Sequence, residues 1–134
     1  MTYLVDTDVV ASWLKGRPEE IALLKHLGPS DLAISLITYG EIYDGIYYGR
    51  DPQAHEAIFR QFLQAVQVVP LTEPIMQHFA RIRGHLRRTG NIIGDTDILI
   101  AATAIHYGLI LVTRNLRHFQ RVPALTLYQA DSPD

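Results

Sequence analysis

Ile110-Leu111-Val112 is apolar at every position, as is the body of Tyr3-Leu4-Val5. A strand with one wet face alternates apolar and polar residues; a strand that is apolar throughout must be covered on both sides. Between such runs lie helix-like stretches. Asp8 to Leu14 is expected to form a short helix stopped by Gly16. Pro18 to His26 follows, with Pro18 at a first helical position, Glu19 and Glu20 in the first turn and Gly28-Pro29 as the stop. Leu32 to Ser35 is a second strand, and Ser35 caps a helix to about Tyr48. Asp51-Pro52 opens a helix ending near Ala65, Val66 to Pro70 is a third strand, and Thr72 starts a helix through Arg88. Thr96 to Tyr107 is the next helix, Ile110 to Thr113 the fourth strand and Thr126 to Tyr128 a weaker fifth. This order predicts an α/β fold: one parallel sheet of four to five strands with helices on both faces. At 134 residues it is one domain, taken as 1–130, with 131–134 as a loose tail.

In such sheets, ligands bind at the carboxyl ends of the strands, where strand order reverses. Acidic residues gather there. Asp6 closes the first strand, and Glu41 lies about two turns into the helix after the second. Thr113 and Asn115 end the fourth strand. Asp95 and Asp97 head the almost wholly apolar Ile98-Leu99-Ile100-Ala101-Ala102. The start of that helix is expected on the far side of the sheet, so the loop Gly90 to Asp95 would have to carry Asp97 across. Taken singly, Asp6, Asp8, Asp95 and Asp97 also suit helix caps, and Glu41 suits a solvated helix face. Taken together, acids near an apolar core repel one another unless a cation joins them. Oxygen donors without cysteine or a paired histidine favour magnesium or manganese over zinc.

The remaining composition excludes more than it assigns. With no cysteine there is no disulfide, thiolate metal site or cysteine nucleophile. His78 and His85 lie too far apart on one helix for a zinc pair, and the six histidines form no rival site. There is no phosphate-cradling glycine loop: Gly40, Gly45 and Gly49 fall within a helix, where they are expected to allow close helix packing. Tyr39, Tyr43, Tyr47 and Tyr48 recur at helical spacing, as in a core or a subunit contact. No signal peptide or long apolar span is evident, so no membrane is expected and the cytoplasm is the default. A net charge of −2 does not announce a nucleic-acid binder but leaves room for a basic face. Arg81, Arg83, His85, Arg87 and Arg88 crowd one helix end, and Arg114, Arg117, His118 and Arg121 follow the fourth strand. They are either a solvated face or a surface for a phosphate backbone; Arg114, Arg117, Arg87 and Arg88 are the candidate RNA contacts.

Four segments in order resemble the PIN domain, and within it the VapC-type toxins of bacterial toxin–antitoxin pairs. They are Leu4-Val5-Asp6-Thr7-Asp8-Val9-Val10, Ser35-Leu36-Ile37-Thr38-Tyr39-Gly40-Glu41-Ile42, Ile93-Gly94-Asp95-Thr96-Asp97-Ile98, and Leu111-Val112-Thr113-Arg114-Asn115-Leu116-Arg117-His118-Phe119. The resemblance implies a metal-dependent ribonuclease. Asp6, Glu41 and Asp97 would hold Mg2+ or Mn2+, and with Asn115 they are the candidate catalytic residues. Many relatives have Asp where this chain has Asn115; Asp95 or Asp8 would compensate as auxiliary groups, with Thr113 orienting a carboxylate or water. The resemblance also implies an RNA substrate, a cognate VapB-type antitoxin and a homodimer. Two alternatives remain. Asp6-Thr7-Asp8 also looks like the nucleophile motif of a haloacid-dehalogenase-type phosphatase, but the only lysines are Lys15 and Lys25, both early. The other is a catalytically inactive PIN-like binding module.

Overall fold

The structure, a computed structural model, describes residues 1–130. The elements in chain order are β1 (Tyr3–Val5), α1 (Thr7–Leu14), α2 (Pro18–Leu27), β2 (Leu32–Ser35), α3 (Leu36–Tyr48) and α4 (Pro52–Ala65). They continue with β3 (Gln67–Val69), α5 (Glu73–Arg88), α6 (Asp95–Tyr107), β4 (Ile110–Val112) and the short α7 (Leu116–Phe119). The four strands are parallel, in the order β3-β2-β1-β4. Chain order therefore reverses between β1 and β4, and Leu4 sits opposite Leu111 in that pair.

Apolar strands are explained by cover on both faces. Leu4, Ala33, Val69 and Leu111 belong to a core with Ile82, Leu86, Ile98, Ile100 and Phe119, which come from α5, α6 and α7. Val5, Leu32, Ile34 and Val112 belong to a second core with Val9, Leu24, Ile42 and Phe59, from α1 to α4. Neighbouring residues of each strand point to opposite faces, so one strand serves two cores.

Local signals set most boundaries. The Ser35 side chain accepts from Thr38 N–H (3.0 Å), and Thr72 caps α5 through Ile75 N–H (3.4 Å). Asp51 caps α4 through Ala54 N–H (3.4 Å). At α6 the expected acidic cap is absent: Gly94 is the N-cap, and Asp95 and Asp97 lie in the first turn. The fifth strand is also reduced. Leu127 makes only an isolated parallel bridge with Leu111, through Leu111 N–H to Thr126 O (2.9 Å) and Tyr128 N–H to Leu111 O (2.8 Å). The proposed tail, residues 131–134, lies outside the described residues.

The expected far-side start of α6 is wrong. A helix leading into the amino end of a parallel strand runs antiparallel to it, so its own amino end lies at the carboxyl edge. The pairing of α5 and α6 achieves this: Arg83 meets Asp95 at one end (3.0 Å), while the His78 and His106 rings are 6.2 Å apart further along. The turn at 89–94 brings Asp97 to the same edge as Asp6.

Among the described residues, nothing packs closely against Gly40 or Gly45 of α3. A Cβ placed on Gly40 or Gly45 meets nothing within 4 Å, and both residues are exposed. Among the tyrosines, Tyr43 packs on Phe59 in the core (5.6 Å between centroids). Tyr47 and Tyr48 are 63% and 88% exposed, so the tyrosine repeat is only half a core feature. Gly45→Ala should therefore stabilise the protein by about 0.5–1 kcal/mol, through the helix preference alone. Urea unfolding measures this; a destabilised variant would mean that a close neighbour does occupy that face.

Candidate active site

Asp6 enters the site because β1 ends there. The backbone passes from strand to α1 at this residue, and its side chain accepts from Thr7 N–H at Oδ1 (2.8 Å). Its other oxygen accepts from the Thr113 hydroxyl just past β4 (2.8 Å), directly across the reversal point. Thr113 Oγ1 in turn accepts from Asn115 N–H (3.0 Å). Asp6 is 5% exposed. Burial, together with the nearby Asp8 and Asp97 carboxylates, pushes its pKa up to about 7, although the Thr113 and Thr7 hydrogen bonds pull the other way. No arginine, lysine or histidine is paired with it among the described residues.

Glu41 is exposed, not buried among the apolar residues of its helix. It projects from the rim of α3 towards Thr7, whose hydroxyl donates to its Oε1 (2.7 Å). Thr7 has one hydroxyl proton and spends it on Glu41, so the Thr38 hydroxyl, 3.0 Å away, donates to Thr7. Ser35 donates to Thr38 (3.2 Å), completing a run of hydroxyls directed at the carboxylate. Asp97 is half-buried, with its Oδ2 3.0 Å from His118 Nε2 on α7. A carboxylate only accepts, so an ionised Asp97 requires the hydrogen to be on Nε2.

The auxiliary candidates separate. Asp8 Oδ2 accepts from the Arg114 backbone N–H (3.3 Å), while Oδ1 is buried with no hydrogen-bond partner among the described residues. Asp95 is exposed and ion-paired with Arg83. Its carboxylate, Arg83 and Arg87 line a small cleft with Ile92, Ile93 and Ile98. Asn115 is exposed, and its side chain makes no hydrogen bond to a described residue. Arg117 and Arg88 are exposed as well.

A cation fits this edge in chemistry. The donors are hard oxygens, Asp8 Oδ1 is buried without a partner, and Asp6 faces two other carboxylates with nothing positive beside it. As the side chains lie, however, no three acidic or histidine groups among the described residues converge on one point. Glu41 and Asp97 are turned to Thr7 and His118 instead.

Several groups here escaped sequence reading. Thr7 and Thr38 lie inside the quoted segments but carry no charge to attract notice. His118 was grouped with the arginines, and only the fold brings α7 against Asp97. Glu20 was assigned to the helix dipole, yet it is buried and paired with Arg114 (3.1 Å). A glutamate in the first turn of a Pro-led helix gives no sign of this.

The raised pKa of Asp6 has a stability consequence. Its usual value is 3.8 and its value in the folded protein is about 7. Between these, the folded state keeps a proton that the unfolded state has lost, so this group's contribution falls as pH rises through that window. In chelated buffer, Asp6→Asn should be more stable than wild type, by an amount that grows from about pH 4 to about pH 7 to a few kcal/mol and then levels off. Urea midpoints across pH measure the difference; a pH-independent gap would refute the assignment.

Comparison with known proteins agrees with this architecture. The PIN domain family matches residues 3–125. A "Ribonuclease VapC2" of Haemophilus influenzae is 36% identical over 125 residues, covering 93% of this chain and 95% of its own. A "tRNA(fMet)-specific endonuclease VapC" of Salmonella typhimurium is 31% identical over 127 residues, covering 95% and 96%. The crystal structure of DNA-bound VapBC from Salmonella typhimurium superposes with a TM-score of 0.89 at 30% identity, covering 96% of this chain and 97% of that one. The phosphatase alternative drawn from Asp6-Thr7-Asp8 has no support in these matches. Four strands in the order β3-β2-β1-β4, acids at their carboxyl edge and a match over nearly the whole chain lead to one conclusion: this chain belongs to the PIN domain family.

Proposed function

We propose that this chain is a metal-dependent ribonuclease that cuts RNA internally by hydrolysing phosphodiester bonds, and that it is the toxin of a VapBC-type toxin–antitoxin pair. The observation that carries the reading is Asp6: a buried carboxylate at the strand-order reversal, facing Asp8 and Asp97, with no protein cation beside it. Such an arrangement repels both itself and an RNA backbone until a divalent cation enters. Asp6, Glu41 and Asp97 are the proposed ligands of Mg2+ or Mn2+. When bound, the ion supplies an acidified water and positive charge against the phosphate.

The chain's own groups then have distinct tasks. Thr113 and Thr7 N–H fix the Asp6 carboxylate, leaving no freedom about its plane. Thr7 orients Glu41 and His118 orients Asp97, and both carboxylates must turn from these partners to reach a common ion. Asn115 adds a neutral oxygen at the same edge, and Asp8 adds charge; Asp95, tied to Arg83, is a weaker auxiliary. Arg114, Arg117, Arg87 and Arg88 are proposed to contact RNA phosphates.

The partner follows from the relatives, one of which was crystallised as a VapBC assembly. A VapB-type antitoxin, a homodimer and a cytoplasmic site of action are part of the proposal. No helix among the described residues is long and apolar enough to cross a membrane.

Cleavage of RNA in magnesium, with and without chelator, separates an enzyme from an inactive PIN-like module. Asp6→Asn and Asp97→Asn should each lower the rate by more than about a hundredfold while keeping a wild-type circular dichroism spectrum. Either variant cleaving at the wild-type rate would falsify the ligand assignment. Millimolar Mn2+ should raise the melting temperature of wild type, and raise that of Asp6→Asn far less. Equal shifts in both would place the ion elsewhere.

A further inference from the structure

Asp6 and Glu20 are the two acidic residues buried among the described ones. Asp6 belongs to the site above; Glu20, on α2, has no part in it by sequence. Its Oε1 lies 3.1 Å from Arg114 Nη1. The same nitrogen donates to Ser12 Oγ on α1 (2.9 Å), and Ser12 is itself buried. The Arg114 backbone N–H is held by Asp8, and the preceding residue, Thr113, holds Asp6. The side chain of Arg114 is nevertheless 53% exposed.

A guanidinium is a planar fork with five N–H donors. In Arg114, Nη1 donates to Ser12 and forms the ion pair with Glu20. Nε and Nη2, which lie side by side on the other edge, make no hydrogen bond to a described residue. That edge matches two oxygens of a phosphate. A buried ion pair adds little net stability, and an apolar residue in place of Glu20 would serve the packing of α2 as well.

We propose that Glu20, assisted by Ser12, is a positioning residue: it clamps Arg114 by one nitrogen so that the Nε/Nη2 edge receives an RNA phosphate next to the carboxylates. This rests on the ribonuclease reading above. Because Glu20 cancels the charge of Arg114, the pair provides directed hydrogen bonds more than net attraction. Its loss therefore misplaces the phosphate without abolishing RNA binding.

Steady-state cleavage of an RNA oligonucleotide in magnesium, well below the melting temperature, tests the clamp. Glu20→Gln should lower kcat about tenfold to a hundredfold with KM within about twofold. Adding Arg114→Ala to it should lower kcat little further, because the two residues act as one unit. Arg114→Lys, which keeps the charge but not the fork, should lose kcat as Arg114→Ala does; it carries the test with Ser12→Ala if Glu20→Gln does not fold. Wild-type kcat and KM in a folded Glu20→Gln variant that has lost only melting temperature would overturn the proposal, leaving a staple between α2 and the β4 end. Wild-type protein that does not cleave RNA at all would overturn the ribonuclease reading first, and the clamp with it.

Discussion

The hydrogen bond from Thr113 to Asp6 joins residues 107 positions apart, and it exists only because β4 lies beside β1 in the sheet. That adjacency follows from the crossover: β1 to β3 step one way, and α5 with α6 return the chain to the other side of β1. Where the order reverses, the connecting segments part and leave an opening at the carboxyl edge. Asp6 sits in that opening, deep enough to be desolvated and shallow enough to face Asp8 and Asp97. Displacing β4 would remove the Thr113 hydroxyl, the Asp8–Arg114 contact and the support for α7 together.

The four carboxylates around this edge are held by different means. Asp6 is held by a hydroxyl and a backbone amide, Glu41 by a run of hydroxyls, Asp97 by an imidazole and Asp8 by a backbone amide. None of these donors brings a permanent unbalanced positive charge. Arg114, whose backbone N–H meets Asp8, has its charge matched by Glu20. The edge therefore gathers carboxylates without a fixed cation to balance them, which suits a cation-dependent reaction in which Glu41 and Asp97 turn from their present partners.

Much of the fold was readable because local signals were strong. Pro18, Pro52, Ser35 and Thr72 mark helix starts through the physics of the first turn, and strands apolar at every position demand two covered faces. The readings that failed concern packing. Gly40 and Gly45 suggested close helix contact, but spacing along a helix does not say which face meets a neighbour. Thr126 to Tyr128 has strand-like residues, yet it forms only a single isolated bridge, to Leu111. The far-side expectation for the start of α6 fails because a helix that feeds the amino end of a parallel strand must begin at the carboxyl edge.

Asp6, Glu41 and Asp97 stood out in the sequence because charged residues beside apolar runs are conspicuous, and their order along the chain was enough to suggest the family. What the sequence could not supply is which groups satisfy them. Thr7, Thr38, His118, Ser12 and Glu20 are ordinary residues at ordinary helix positions, and their roles arise from contacts across elements. Identity and spacing thus determined the two-sided parallel sheet and the acidic edge, because propensity and hydrophobic pattern act over a few residues. The hydrogen bonds that orient each acid, the burial that raises Asp6 and the anchoring of Arg114 were decided by tertiary structure, because desolvation and hydrogen bonding depend on distances between segments far apart in the chain.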